Sequence, residues 1–299
     1  LATEYKILHG RNPLNFRTAT NHENPPTNHC IFEEYFGNVY NPPALHEKSQ
    51  RYYLDVFWTN YYISKSYCNL DMSDLQNYLN QLDTSKKYYT ICQWDDGIQH
   101  DVSHLDLVTF SSGGVGDYAI PLNCNQQAYP ENKSKRFLAS FIGAIFGRHS
   151  VREKMWMWSR EIPQGSDEIL VMERSEKLPR GYFTSLMSDS IFALCPRGYG
   201  KTSFRICEAL QAGAIPVYIH DEPWIPFKDK VNFSDYGVLC HVEEIDNLLN
   251  KLKSYDNDTI NTMLSKGREV YQEYYSFEGC AKNIMEVLDE NYLHNNLRP

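Results

Sequence analysis

No two of the eight cysteines form a CxxC pair, no apolar run is long, and basic residues are outnumbered. The cysteines (Cys30, Cys68, Cys92, Cys124, Cys195, Cys207, Cys240 and Cys280) are scattered, which argues against a zinc ribbon or a thioredoxin-like motif. Cys92 and Cys195 sit inside apolar runs, where a buried free thiol is the default. That usage favours a reducing, cytoplasmic compartment. The glycosylation sequons at Asn132, Asn232 and Asn257 pull the other way. Without about 20 consecutive apolar residues no membrane span is expected, and the start carries no signal-peptide pattern. Lys and Arg number 29 against 38 Asp and Glu, for a net charge of −9. Such a chain lacks the basic field of a nucleic-acid or anionic-membrane binder. An anionic ligand would need a local cluster of Arg, Lys and backbone N–H groups. Internal repeats and low-complexity tracts are also missing.

What is present is enough apolar material for a sizeable core. The 299 residues are 42% hydrophobic, which suits one large domain or two of about 150 residues each. Tyrosine dominates the aromatics, 22 against 14 Phe and 5 Trp, and most are expected at half-exposed core positions. The Asn- and Pro-rich start reads as irregular chain with a short helix near 30–36. A strand is predicted over 52–58 and a helix over 72–82, where Leu75, Tyr78, Leu79 and Leu82 share a face. Strands follow over 88–93, 105–110 and 118–122, the last two separated by the Gly-rich turn 111–116. The polar break 130–136 marks a domain boundary, giving domains at 1–135 and 136–278. Beyond it come a strand over 137–145, a helix over 150–160, and a βαβ unit over 191–219. Helices over 242–252, 260–275 and 281–292 close the chain, and the segment 279–299 is expected to pack back on the first domain. Alternation of this kind predicts an α/β fold with parallel sheets.

The stretch from Phe192 to Val217 carries the densest chemistry. A strand delivers the chain into a loop holding Gly198 and Gly200, and Thr202 or Ser203 can cap the next helix. A helix N-terminus offers unpaired N–H groups and partial positive charge, a natural seat for phosphate. Arg197 and Lys201 flank the loop. Arg205 and Glu208, three apart, project from one helix face, where the first can fork onto phosphate and the second can accept from ribose hydroxyls. A surface ion pair is the plainer reading of those two. Gly200-Lys201-Thr202 imitates the end of a P-loop, but Cys195 stands where its first glycine belongs. Ser203 likewise replaces the third glycine of a GxGxxG turn.

Leu194-Cys-Pro-Arg-Gly198, Ser203-Phe-Arg205, Glu208-Ala-Leu210, Gly213-Ala-Ile-Pro-Val217 and Asp221, followed by Pro226-Phe227, together resemble the exostosin signature of glycosyltransferase family 47. Looser similarity extends through 231–275 and back through 136–152, 117–121, 88–97 and 32–36. The resemblance implies a GT-B fold, two Rossmann-like domains facing a cleft, with the second holding the nucleotide. It implies an inverting, UDP-sugar-dependent transferase needing neither metal nor cofactor. Carried over by position, Gly198, Tyr199, Gly200, Lys201, Thr202 and Ser203 would face the diphosphate beside Arg197 and Arg205. Glu208 would bind ribose, and Arg148 and Arg152 would add diphosphate contacts. The small size and Asn- and Tyr-rich composition also resemble the enzymes with which chloroviruses glycosylate their capsid proteins. That likeness implies a UDP-xylose donor, a β-linkage to a fucose-containing glycan, and the host cytoplasm. The Golgi lumen is the alternative if an N-terminal anchor has been removed.

Inverting transfer is a single displacement, so one general base suffices and no protein nucleophile is required. Leaving-group charge would be met by the helix N-terminus and the Arg and Lys residues. The base is expected in the first domain, after the strand 88–93, at Asp95 or Asp96, with His100 as an alternative; an Asp-Asp-Gly turn is the plainer reading. Asp256-Asn257-Asp258 copies a DxD metal motif but reads as a loop or helix cap. A monomer is expected. The rival function is a silent nucleotide-sugar or glycan binder, disfavoured because Arg205 and Glu208 are both kept. A kinase would need metal-binding carboxylates and a whole P-loop.

Overall fold

The computed structural model describes residues 31–124, 126, 135–147, 149–162, 168–173 and 181–296. Its elements fall into two compact units, one of residues 1–120 with 277–299, the other of residues 121–276. The divisions therefore fall at Ile120 and Ser276, against the breaks at 135 and 278 read from the sequence.

The first unit opens with α1 (Phe32–Glu34), which continues as a π-helix to Tyr40, and the strands β1 (Leu45–His46) and β2 (Arg51–Tyr53). Then come α2 (Trp58–Ser64), α3 (Ser73–Leu79), β3 (Lys87–Cys92), β4 (Asp106–Ser111) and β5 (Tyr118–Ala119). The sheet runs in sequence order, β1-β2-β3-β4-β5, antiparallel only between β1 and β2. The run read as one strand over 52–58 leaves the sheet after Tyr53 and turns into α2. The fully buried carboxyl group of Glu33 explains the change. It accepts hydrogen bonds from the Thr59 N–H (3.0 Å) and hydroxyl (2.8 Å), tethering the first turn of α2. Trp58, Tyr62, Leu75, Leu79 and Tyr88 then form the core between these helices and β3. Many tyrosines go deeper than expected: Tyr62, Tyr88, Tyr89, Tyr218, Tyr236 and Tyr275 are fully buried. The last helix, α9 below, joins this unit through Phe277 against Tyr35 (centroids 5.0 Å apart) and Asp289 against His46 (3.0 Å).

The second unit contains β6 (Phe137–Gly143), α4 (Ser150–Glu161), β7 (Ile169–Glu173), α5 (Tyr182–Ser188), β8 (Ser190–Pro196), α6 (Phe204–Ala212), β9 (Ile215–His220) and β10 (Val238–His241). It ends in α7 (Leu248–Lys253) and α8 (Asn257–Val270), and α9 (Phe277–Asn296) then returns to the first unit. All pairings in its sheet are parallel, in the order β10-β9-β8-β6-β7. Counted within the unit this is 2-1-3-4-5, the doubly wound order whose direction reverses between β6 and β8. β7, α5 and β10 have no counterpart among the elements the sequence predicts. The buried faces of Phe141, Phe192, Val217 and Ile219 on the sheet meet Met155 and Trp158 of α4. α6 buries Ile206 and Leu210, each contributing about 1.5–3 kcal/mol. It ends at Gly213, whose φ of 66° is left-handed, as a helix C-terminus favours. Asp256 caps α8 by accepting from the Thr259 N–H (2.8 Å), so the DxD look-alike is a helix start. Each unit thus has its own α/β sheet, parallel throughout in the second unit and parallel from β2 to β5 in the first.

Candidate functional site

In doubly wound sheets ligands bind beyond the carboxyl ends of the strands, where the strand order reverses. Here that point lies between the loop after β6, leading to α4, and the loop after β8, leading to α6. The loop after β8 is the Gly198–Ser203 segment.

Its shape is set by Arg197. That side chain is buried and folds back on its own loop, donating from Nε to the Gly200 carbonyl (3.0 Å) and from Nη2 to the Tyr199 carbonyl (2.9 Å). Its Nη1 pairs with Asp221 at 2.7 Å. Arg197 was expected to face the diphosphate; the structure uses its guanidinium to brace the loop instead. The Gly198 N–H closes the loop on the Thr202 carbonyl at 2.8 Å. Thr202 and Ser203 are buried, and the Ser203 hydroxyl caps α6 by accepting from the Arg205 N–H (3.3 Å). Lys201 pairs with Glu222 at 2.6 Å, while the Tyr199 ring points to solvent, 63% exposed.

Two further guanidiniums reach the same place. Arg152, in the first turn of α4, donates from Nε to the Arg197 carbonyl (2.9 Å) and from Nη1 to the Ala144 carbonyl (2.8 Å). A Cβ on Gly198 would lie 3.7 Å from its Nη2, in ordinary van der Waals contact, so the guanidinium lies directly against the loop. Arg205 donates from Nη2 to the Ile142 carbonyl at 2.7 Å and pairs with Glu208 at 2.9 Å. Both partners of that pair are only 16% exposed, so it is not a surface pair. The guanidinium of Arg205 also lies over Phe183 (4.2 Å) and Phe141 (5.5 Å). The ring of Phe141 is 5.9 Å from Arg152 as well, so one ring steadies two cations. Arg205 Nε is buried without a hydrogen-bond partner among the described residues. A buried donor left open is costly, and an anion would satisfy it.

The electrostatics follow. Burial alone would raise the Asp221 pKa, but the hydrogen bond and charge of Arg197 outweigh it and hold the carboxyl below its usual value. His149, the cap of α4, lies 3.6 Å from Asp221; burial and the charges of Arg197 and Arg152 lower its pKa against the opposing charge of Asp221. His149 and the structural role of Asp221 escaped the sequence reading. Asp221 stands 24 positions from its partner, and only the order of motifs pointed to it. Arg148 lies outside the described residues.

In the first unit, Trp94-Asp95-Asp96-Gly97 forms a turn after β3, closed by the Gly97 N–H on the Trp94 carbonyl (3.0 Å), with Gly97 at a φ of 72°. Asp96 is exposed and Asp95 half-buried. The Gly-rich loop after β4 abuts it: a Cβ on Gly113 would stand 2.2 Å from the Trp94 carbonyl oxygen. His100 does not belong with this pair. It is buried and stacks on Tyr62, with ring centroids 5.6 Å apart. Its Nε2 faces the Met72 carbonyl (3.3 Å), which can only accept, so the proton sits there and Nδ1 accepts from the Tyr62 hydroxyl (3.0 Å). Both nitrogens are engaged and burial lowers its pKa, so His100 is a core residue, not the base. Glu33, also missed from the sequence, receives the Gln93 N–H at 2.6 Å and so pins the end of β3 just before the acidic turn. Among the described residues no group of three or more His, Cys, Asp or Glu could hold a metal ion.

The Exostosin GT47 domain matches residues 106–255, half of the chain, and thereby takes in β4 and most of the second unit. The chain belongs to the exostosin GT47 family. It is 35% identical over 127 residues to a probable glycosyltransferase of Arabidopsis thaliana, covering 42% of this chain and 23% of that one. It is 23% identical to the exostosin-1 homolog of Caenorhabditis elegans, across 94% of this chain and 80% of the other. A probable beta-1,4-xylosyltransferase of Arabidopsis thaliana is 26% identical over 44% of this chain and 32% of its own. The matched stretch spans 18–34% of the plant relatives' own lengths. Among solved structures, Anabaena HepE in complex with UDP-glucose aligns with 11% identity and a TM-score of 0.42, over 73% of this chain and 67% of that one.

Proposed function

We propose that the chain is an inverting glycosyltransferase that moves a sugar from a UDP-sugar onto a glycan acceptor. The observation that carries this reading is the meeting of Arg152, Arg205 and the Arg197-braced loop at the switch point of the second sheet. Arg205 Nε, buried and open, would bind the diphosphate together with Arg152 and the start of α6. Glu208, oriented by Arg205, would accept from the ribose hydroxyls. Asp95 or Asp96 would take the proton of the acceptor hydroxyl as it displaces the nucleotide diphosphate at the anomeric carbon. Guanidinium charge and the helix N-terminus would stabilise the departing diphosphate, so that no divalent metal is needed. The favoured donor is UDP-xylose and the favoured acceptor a fucose-containing glycan, with a β-linkage formed. Similarity to a xylosyltransferase supports the donor.

The test is incubation with a panel of UDP-sugars and fucosides in excess chelator, with the product's anomeric configuration read by NMR. Release of UDP with a β-linked product supports the proposal. An α-linked product from an α-donor would overturn the inverting mechanism, and absence of turnover with every donor would remove the enzyme reading.

A further inference from the structure

Two thiols lie outside the chemistry described so far. Cys124 belongs to the segment Pro121–Cys124, by which the chain enters the second unit, and Cys207 lies on α6. Both sulfurs lie against one side-chain amide. Gln211 sits over both, its Nε2 3.3 Å from the Cys124 sulfur and 3.8 Å from that of Cys207. The residues around them are held in place. Asn123 donates to the Tyr275 carbonyl at 2.7 Å, and the Cys207 thiol approaches the same carbonyl at 3.9 Å. Tyr275 is the second-last residue of this unit, before the chain returns to the first. The entering and leaving segments therefore meet at one carbonyl, beside the helix that bears Arg205 and Glu208.

We propose that Cys124 and Cys207 are a disulfide-forming pair, oxidised by small-molecule disulfides, whose bond fastens the entering segment to α6. Cys124 is half-buried and Cys207 buried, so the incoming disulfide meets Cys124 first. The Cys124 thiolate attacks one sulfur of glutathione disulfide, forming a mixed disulfide and releasing one glutathione thiolate. The Cys207 thiolate then displaces the second glutathione. Two protein thiols are oxidised to one disulfide, one glutathione disulfide is reduced to two glutathiones, and the two protons leave with them or with solvent. The neighbouring thiol and burial raise the Cys124 pKa well above its ordinary value, so the thiolate is scarce and exchange is faster at pH 9 than at pH 7. The bond closes a loop from 124 to 207, restricting the unfolded chain.

The experiment treats the folded, full chain with glutathione at graded ratios of oxidised to reduced form, traps thiols by alkylation, and maps disulfides by mass spectrometry. The expected result is a Cys124–Cys207 linked peptide as the main product, with a melting temperature raised by on the order of 5–10 °C. Cys124→Ser should abolish both effects and leave the reduced protein's melting temperature within about 2 °C of wild type. Alkylatable Cys124 and Cys207 after equilibration at the most oxidising ratio would overturn the proposal. So would a stable glutathione adduct on Cys124 without the cross-link. Cys207→Ser is the second variant: capture of glutathione at Cys124 in it, with none retained in wild type, shows that Cys207 resolves the adduct.

Discussion

Changing Glu33 to Gln should make the protein's stability depend less on pH. In the folded chain complete burial is the main cause that raises the Glu33 pKa, from 4.5 to about 8, against hydrogen bonds from Gln93 and Thr59 that lower it. The sign is therefore that of a group holding its proton in the folded state after the unfolded chain has released it. Its contribution is whole below pH 4.5 and is lost as pH rises to about 8. At about 1.4 kcal/mol per pH unit, that loss is at most about 5 kcal/mol. Glutamine stays neutral throughout. Its carbonyl can accept from the Gln93 N–H and the Thr59 hydroxyl, but its amide meets the Thr59 N–H donor to donor, a cost of about 1 kcal/mol. At pH 5 the relief and the cost nearly cancel. By pH 8 Glu33→Gln should be more stable than wild type by about 3 kcal/mol. Urea unfolding at intervals from pH 5 to pH 9 reads the difference directly. A variant less stable by the same amount at every pH would refute the reasoning, because Glu33 would then be ionised in the fold.

Asp221→Asn removes the charge that faces Arg197 at 2.7 Å. With Asp221 partly exposed, the expected loss is about 1–2 kcal/mol of stability in urea unfolding, with UDP affinity about tenfold weaker by calorimetry. Unchanged affinity would show that the brace on the loop is irrelevant to binding. Gly113→Ala places a methyl 2.2 Å from the Trp94 carbonyl, so the acidic turn must shift, at about 1–3 kcal/mol. Transfer should fall sharply while UDP binding by the second unit persists; full turnover would separate this turn from the chemistry.

Much of the second unit was legible because its elements are locally determined. The βαβ over 191–219 has a Ser cap, a Gly stop and apolar runs of the right length, and the structure differs there by a residue or two at each end. The α2 helix was not legible because its start is fixed by Glu33, 26 residues away, while the local run around Val56 and Phe57 is strand-like. β7, α5 and β10 are short and lack strong periodicity, so their register comes from neighbours rather than from their own residues. The site showed the same division. Residue types in the 197–208 segment pointed to the proposed anion site, but their tasks depended on tertiary partners. Arg197 turned inward on its own loop, Arg205 lies over the rings of Phe141 and Phe183, and His100 was taken into the core by Tyr62 and Met72.

In the proposed site, Arg205, open at Nε and steadied by two rings, receives the diphosphate of a UDP-sugar. The decisive measurement is calorimetric titration of UDP into wild type and into Arg205→Lys. Lysine keeps the charge but loses the fork, the bond to the Ile142 carbonyl and the stacking on Phe183. Wild type should bind UDP, and the variant should lose about 10- to 100-fold in affinity, equivalent to about 1.4–2.8 kcal/mol. Equal affinity of the two proteins, or no binding of UDP by wild type, would contradict this role of Arg205.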